Sequence, residues 1–263
     1  RDVAVITNLY PDHLNRYRGI RAYATAKANV FLGQTPDQAL VLNADDAWTP
    51  FFLKQKPRGR VFFTSLTSLP KSRFGVFVEG GAAWARLGPG LRERVLSRAA
   101  TAKFRAVWGD HNIRNVLTAL LAGCLAGIPF RSLCIRLSSL PTVPYREEVI
   151  YKNRRLTVVN DSAGTSPDAT VAALRRFRES RIVLLAGGTD KKLTFGEWAK
   201  EVRRTVPPEQ LLLLGGSATV KIISALRRIG YFKGFEPQIF EALPAMVRAA
   251  KKLITYNLKL KTV

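Results

Sequence analysis

RLTVVNDSAGTSPDATVAALRRF, residues 155–177, carries the reading that decides the fold. Residues 156–159 (LTVV) are apolar and β-branched, which spells a strand, and the polar pair at 160–161 (ND) ends it. After a turn of small residues, Ser166 offers an oxygen to the free N–H groups of a helix start. Pro167 suits the first helical position, and Asp168 meets the positive end of the helix dipole. The spacing predicts a helix over SPDATVAALRRF. The alternation continues through RIVLLAGG (181–188), TFGEWAKEVRRTV (194–206), QLLLLGG (210–216), SATVKIISALRRIG (217–230) and ALPAMVRAAKKL (242–253). Strands apolar almost throughout, separated by helices, make a parallel, doubly wound sheet. Ligands on such sheets gather at the carboxyl ends of the strands, which singles out 160–161 (ND), 187–191 (GGTDK) and 215–219 (GGSAT).

The first half reads less regularly. DVAVITNL (2–9) is a strand running into a Pro-Asp turn, and GIRAYATAKANVFLG (19–33) a helix ended by Gly33. QALVLNADD (38–46) and GRVFFTSL (59–66) are strands, and FGVFVEGGAAWARLG (74–88) is a hairpin about Gly80 and Gly81. Residues 88–105 read as basic and irregular. RAVWGDHNIRNVLTALLAGCLAGIP (105–129) is expected to be a strand, a Gly-Asp turn and a long helix closed by Gly127 and Pro129. Ser and Pro cluster in LSSLPTVP (137–144), so a boundary is placed near 140, giving domains 1–140 and 141–263.

With 263 residues and 47% hydrophobic composition the chain is an ordinary globular one. No apolar run approaches the roughly 18 residues of a membrane span, so no membrane insertion is expected. The start, RDVAVITNLY, lacks the pattern of a signal peptide, and a cytoplasmic location is expected. Cys124 and Cys134 form neither a CxxC nor a zinc spacing and read as two reduced core thiols. The net charge of +23 is scattered over the sequence, which fits a general surface bias better than a nucleic-acid face. There is no GxxxxGK[ST], no GxGxxG and no GxSxG, and the two histidines have no nearby nucleophile for a triad.

Six stretches resemble the Mur ligase family when taken in order. They are NLYPDHLNRY (8–17), AYATAKANVF (22–31), VLNADD (41–46), GDHNIRNVLTALLAG (109–123), VNDSAGTSPDATVAAL (159–174) and LLAGGTDKKLTF (184–195). The family joins amino acids to a UDP-linked peptidoglycan precursor at the expense of ATP. The resemblance implies an α/β fold: the later part of a P-loop-type central ATPase domain over 1–140, then a Rossmann-like parallel-sheet domain over 141–263. Both ends read as cut. The UDP domain, the phosphate loop and a first metal's glutamate are expected upstream, and a serine- and phenylalanine-containing segment beyond Val263, so the fragment alone is expected not to turn over. NDSA, where sister enzymes carry a DYAH or DYNA type of segment, is similar to the branch that adds D-glutamate to UDP-N-acetylmuramoyl-L-alanine through an acyl phosphate.

That resemblance also assigns residues. His13 matches a ligand of the second magnesium, and Lys27 a lysine whose carbamate binds metal, which requires a shielded amine. Arg146 matches an arginine that contacts ATP, and Asp161 an aspartate near the ribose; Asn112 and Asn115 open a helix, where asparagines can read adenine or orient phosphate. Lys191 and Thr165 match positions near the amino-acid substrate, with Lys192 as a neighbour that confuses the assignment. Read without the family, His13 is a capped strand end, Lys27 and Arg146 are solvated cations, and Asn112 and Asn115 are helix caps; His111 orients its turn. Two departures stand out: Ala163 replaces a usual lysine, and Asn15 a usual aspartate. The expected ligands are Mg²⁺, ATP, UDP-N-acetylmuramoyl-L-alanine and D-glutamate, acting on a monomer. The rival readings are a sister ligase for another amino acid, including a folylpolyglutamate synthase relative, and a non-catalytic basic binding protein.

Overall fold

A computed structural model describes residues 2–11, 16–140 and 143–259. They divide into two units, residues 2–11 with 16–140, and residues 143–259.

The first unit is built on a six-stranded sheet. Strands β1 (Val3–Ile6), β2 (Ala39–Asn43), β3 (Arg60–Ser65) and β4 (Gly75–Glu79) run parallel in that order. Strands β5 (Ala82–Gly88) and β6 (Leu91–Leu96) extend it antiparallel, the first through the turn at Gly80 and Gly81. Alternate residues face opposite sides. Val41, Phe62, Val76 and Val78 pack with Ile113, Leu117 and Leu121 of helix α3 (Arg98–Leu125). Leu40, Leu42, Phe63 and Phe77 pack with Ala24 and Ala28 of α1 (Ile20–Ala28) and Phe52 of α2 (Thr49–Lys54). Helix α4 (Phe130–Arg136) joins the α3 side through Phe130. A strand buried on both faces needs a continuous apolar run, and all five residues of β2 are buried.

Three expectations for this unit need correction. RAVW (105–108) is helical rather than extended, because α3 starts earlier, at an Ala-rich segment where Ser97 caps the Ala100 N–H at 3.1 Å. The break expected at the Gly-Asp pair survives as a kink: Gly109 sits at φ 74°, ψ 167° inside the helix. The stretch read as irregular holds β6, an edge strand whose Arg92, Glu93 and Arg94 stay exposed, as edge strands require. Finally, α1 stops at Ala28 and not at Gly33. Residues 29–31 tighten into bonds to carbonyls three residues back, and Phe31 drops into the core edge-to-face with Phe52, 6.2 Å between centroids.

The second unit has a parallel sheet in the order β11 (Gln238–Phe240), β10 (Leu211–Leu214), β9 (Leu184–Gly187). Leu211 and Leu213 face one way, into a core with Val171 and Leu174 of α5 (Pro167–Arg176), Trp198 and Val202 of α6 (Gly196–Thr205), and Ile222 and Leu226 of α7 (Thr219–Arg228). Leu212 faces the other way, onto Met246 and Ala250 of α8 (Leu243–Lys259). The expected start of α5 is present: Ser166 accepts from the Ala169 N–H at 3.3 Å, and Pro167 opens the helix. Burial pushes the Asp168 carboxyl above its ordinary value.

Strand β8 (Thr157–Asn160) was expected in the parallel sheet. It pairs instead, antiparallel, with β7 (Glu148–Lys152), a strand the sequence reading passed over. The cause is local. The Asn153 side chain accepts from the N–H groups of Arg155 and Leu156, at 2.8 and 2.7 Å, and folds the chain back into a hairpin.

One core contact gives a direct stability test. Tyr231 is 4% exposed, and its hydroxyl donates to the Val206 carbonyl at 2.9 Å. Burial pushes the phenol well above its ordinary pKa, so it stays a neutral donor. Tyr231→Phe is expected to lower stability by about 1–2 kcal/mol, read from urea midpoints, because a buried carbonyl loses its donor.

Candidate functional site

In the second unit, residues 161–165 follow the carboxyl end of β8 and precede α5, and two other segments lean on them. On one side is the turn bearing Arg146. The Tyr145 carbonyl accepts from the Ala163 N–H at 2.8 Å, and the Glu147 N–H donates to Asp161 Oδ1 at 3.0 Å. On the other side is the loop after β9, from which Lys191 Nζ donates to Thr165 Oγ1 at 3.0 Å. Asp161, Thr165, Lys191 and the Arg146 backbone therefore share one neighbourhood. Asp161 carries part of its load as a structural acceptor, while the Arg146 side chain is exposed.

The Lys191 loop is braced from below. Asp190 accepts from the Lys192 N–H at 2.8 Å and pairs with Lys221 Nζ at 2.5 Å, and its own N–H donates to Ser217 Oγ at 2.8 Å. The Lys221 ammonium holds the Asp190 carboxyl below its ordinary value, with the Lys192 N–H adding to the effect. Lys192 is exposed and takes a left-handed φ of 59°. The two neighbouring lysines are thus not equivalent: the first reaches Thr165, and the second bends the chain.

In the first unit, the kink at Gly109 exposes a fresh helix start, and Asn112 and Asn115 lie on it. Asn115 Nδ2 donates to Asn112 Oδ1 at 3.3 Å, and Asn112 Nδ2 lies 3.0 Å from His111 Nε2. The positive end of a helix dipole at such a start suits an anion. Beyond the carboxyl ends of β2 and β3 lies a polar web that sequence reasoning did not assign. Asp45 accepts from Ser65 Oγ at 2.6 Å and the Leu66 N–H at 2.8 Å, and Asp46 accepts from the N–H groups of Leu9 at 2.9 Å and Trp48 at 2.8 Å. Arg114 Nη2 lies 3.9 Å from Asp45 Oδ2, and among the described residues its buried Nε has no hydrogen-bond acceptor. The signal was the acidic pair in VLNADD, placed at a strand's carboxyl end.

His13 lies outside the described residues. Lys27 lies in the last turn of α1, exposed, with its ammonium 5.2 Å from the Tyr23 ring centroid, rather than in the shielded setting a carbamate was expected to need. Among the described residues no three His, Cys, Asp or Glu side chains cluster as a metal site. The described residues by themselves do not fit a magnesium ion. Cys124 and Cys134 are free, partly buried thiols, and that burial raises their pKa. No helix among the described residues is long and apolar enough to cross a membrane.

Residues 1–123 match the Mur ligase middle domain. The UDP-N-acetylmuramoylalanine–D-glutamate ligase of Roseiflexus sp. (strain RS-1) is 32% identical over 251 residues, 91% of this chain and 52% of that protein. The protein of the same name from Pelotomaculum thermopropionicum is 38% identical over 229 residues, 87% of this chain and 48% of that protein. The chain spans about half the length of the curated relatives it matches. Among solved structures, MurF from Acinetobacter baumannii superposes with a TM-score of 0.66 at 15% identity, covering 97% of this chain and 54% of its own. The folylpolyglutamate synthase of Mycobacterium tuberculosis, complexed with ADP, superposes with a TM-score of 0.64 at 18% identity, covering 96% of this chain and 56% of its own. The likeness to both structures is one of fold. With its first 123 residues matching the middle domain and its relatives 32% and 38% identical over most of its length, the chain belongs to the Mur ligase family.

Proposed function

We propose that this chain serves an ATP-dependent ligase that joins D-glutamate to UDP-N-acetylmuramoyl-L-alanine. The observation that carries the reading is the Lys191–Thr165 contact at the carboxyl-end loops, in a chain whose curated relatives bear that enzyme's name. In the proposed reaction a carboxylate oxygen of the UDP-linked substrate attacks the terminal phosphorus of ATP, and ADP leaves. The amine of D-glutamate then attacks the acyl phosphate, and phosphate and a proton leave. Both steps crowd anions together, so fixed cations and N–H donors lower the barrier. Lys191 and Thr165 hold a carboxylate of the incoming amino acid. Arg146 offers its planar fork to phosphate oxygens, and Asp161 contacts the ribose. Asn112 and Asn115 contact the nucleotide at the helix start. Magnesium accompanying the ATP would supply further charge neutralisation.

The test is the protein expressed from its whole reading frame, purified and supplied with ATP and UDP-N-acetylmuramoyl-L-alanine. Phosphate release should depend on D-glutamate, with diamino acids and D-alanyl-D-alanine giving less than about a tenth of the rate, the discrimination worth roughly 1.4 kcal/mol or more. Faster release with either competitor sinks the D-glutamate assignment in favour of a sister ligase. That rival is motivated by Ala163, which removes a cation the branch usually carries.

A further inference from the structure

Arg146 sits between two residues with unusual backbones. Tyr145 has φ 62° and Glu147 has φ 44°, both in the left-handed region that L-residues enter at a cost. One such residue in a loop is ordinary. Two of them flanking one exposed arginine need something to hold them there.

What holds them is an array of anchors inside the second unit. The Tyr145 N–H donates to Glu148 Oε2 at 2.9 Å, and the Tyr145 carbonyl accepts from the Ala163 N–H at 2.8 Å. The Arg146 N–H donates to the Val143 carbonyl at 3.2 Å, and the Glu147 N–H donates to Asp161 Oδ1 at 3.0 Å. Beneath the turn, the Glu147 carboxylate forms an ion pair with Arg176, with side chains only 5% and 14% exposed. Arg176 is in the last turn of α5, and its guanidinium also lies 4.8 Å from the Phe177 ring centroid. Glu147 thus turns its charge inward to Arg176, 29 residues away, and leaves its neighbour Arg146 facing solvent. A buried pair of this kind is a weak source of net stability, since desolvation offsets most of its attraction. It is a strong source of geometry: a guanidinium fork and a carboxylate fit in few arrangements.

We propose that Glu147, clamped by Arg176, is a positioning residue that fixes the Arg146 turn, so that the arginine meets a phosphate group already oriented. The inference rests on the reading of Arg146 as a phosphate ligand of ATP. Fixing the turn beforehand removes an ordering cost that would otherwise fall on binding.

The experiment uses the protein from its whole reading frame and measures KM for ATP, KM for D-glutamate, kcat and thermal midpoint. Arg146→Ala should raise KM for ATP about tenfold or more, the size of one lost charged contact. Glu147→Gln should raise the same KM at least threefold while leaving KM for D-glutamate within twofold. The double variant should be no worse than Arg146→Ala, because an unpositioned arginine and an absent one lose the same contact. If Arg146→Ala leaves KM for ATP unchanged, the phosphate-ligand reading fails, and the inference with it. If Arg146→Ala raises KM and Glu147→Gln does not, the positioning claim alone is overturned, as it is if the two effects multiply. Should Glu147→Gln fail to fold, Arg176→Lys decides: it keeps the charge and removes the fork, and an unchanged KM for ATP overturns the proposal.

Discussion

Gly75→Ala is expected to remove the folded first unit from solution at ambient temperature. Gly75 pairs with Phe63 across the parallel β3–β4 ladder, at φ 149°, a conformation reserved for glycine. A Cβ built there lands inside the Phe63 backbone, against its carbonyl oxygen, carbon and nitrogen. Backbone in the middle of a sheet cannot swing aside as a side-chain tip can. Phe63 is 6% exposed and its N–H donates to the Phe74 carbonyl at 2.8 Å, so any retreat unpicks the ladder. Strain of about 1–3 kcal/mol for the backbone and a comparable overpacking cost sum to a large part of a domain's whole stability. Gly33→Ala is the control: it is exposed, and its Cβ would meet nothing within 4 Å, so it should change stability by less than about 0.5 kcal/mol. Circular dichroism and urea unfolding of both variants check the pair, and a Gly75→Ala protein with a wild-type midpoint would refute the expectation.

The sheet around Gly75 also shows where sequence reading succeeds and where it stops. The runs of β2, β3 and β10 are apolar because most of their residues are buried, and partly buried β9 carries the same apolar run, so composition alone locates them. Helix α5 is written in three adjacent residues, Ser166, Pro167 and Asp168, each with a local physical role. Other elements were set by local side-chain signals that composition and periodicity do not show. Residues 98–105 read as irregular and 105–108 as a strand because their basic composition hid a capped Ala-rich helix, and β8 lost its place in the parallel sheet to a hairpin set by the Asn153 side chain. The candidate site is less local. Lys191 and Thr165 are 26 positions apart and Glu147 and Arg176 29 apart, and no periodicity connects either pair. The resemblance named Arg146, Lys191 and Thr165 as positions. The folded chain adds Glu147, Arg176, Asp190 and Lys221, which act through their neighbours and leave no motif.

The sharpest functional expectation concerns the lysine pair in GGTDKK. Lys191→Ala should lower kcat/KM for D-glutamate by about 10²–10³, the cost of losing one preorganised charged contact to a group on which charge is handled. Lys192→Gly should leave kcat/KM within about twofold and hold or raise stability, by up to about 1 kcal/mol, because glycine adopts the left-handed φ of 59° without strain. The asymmetry follows from geometry and not from charge, since both side chains are cations. Lys191 Nζ reaches Thr165 Oγ1 at 3.0 Å, whereas Lys192 contributes its backbone N–H to Asp190 and exposes its side chain. Asp190 makes the arrangement hold with pH. Its carboxyl is held below the ordinary value by Lys221, so its bracing is present above the pKa of the unfolded chain's aspartate and is lost only as pH falls through the lower, folded value. Activity near neutral pH should therefore not track Asp190. Equal losses in the two lysine variants would mean that a diffuse positive field does the work, and the Lys191–Thr165 contact would lose its place in the proposed site.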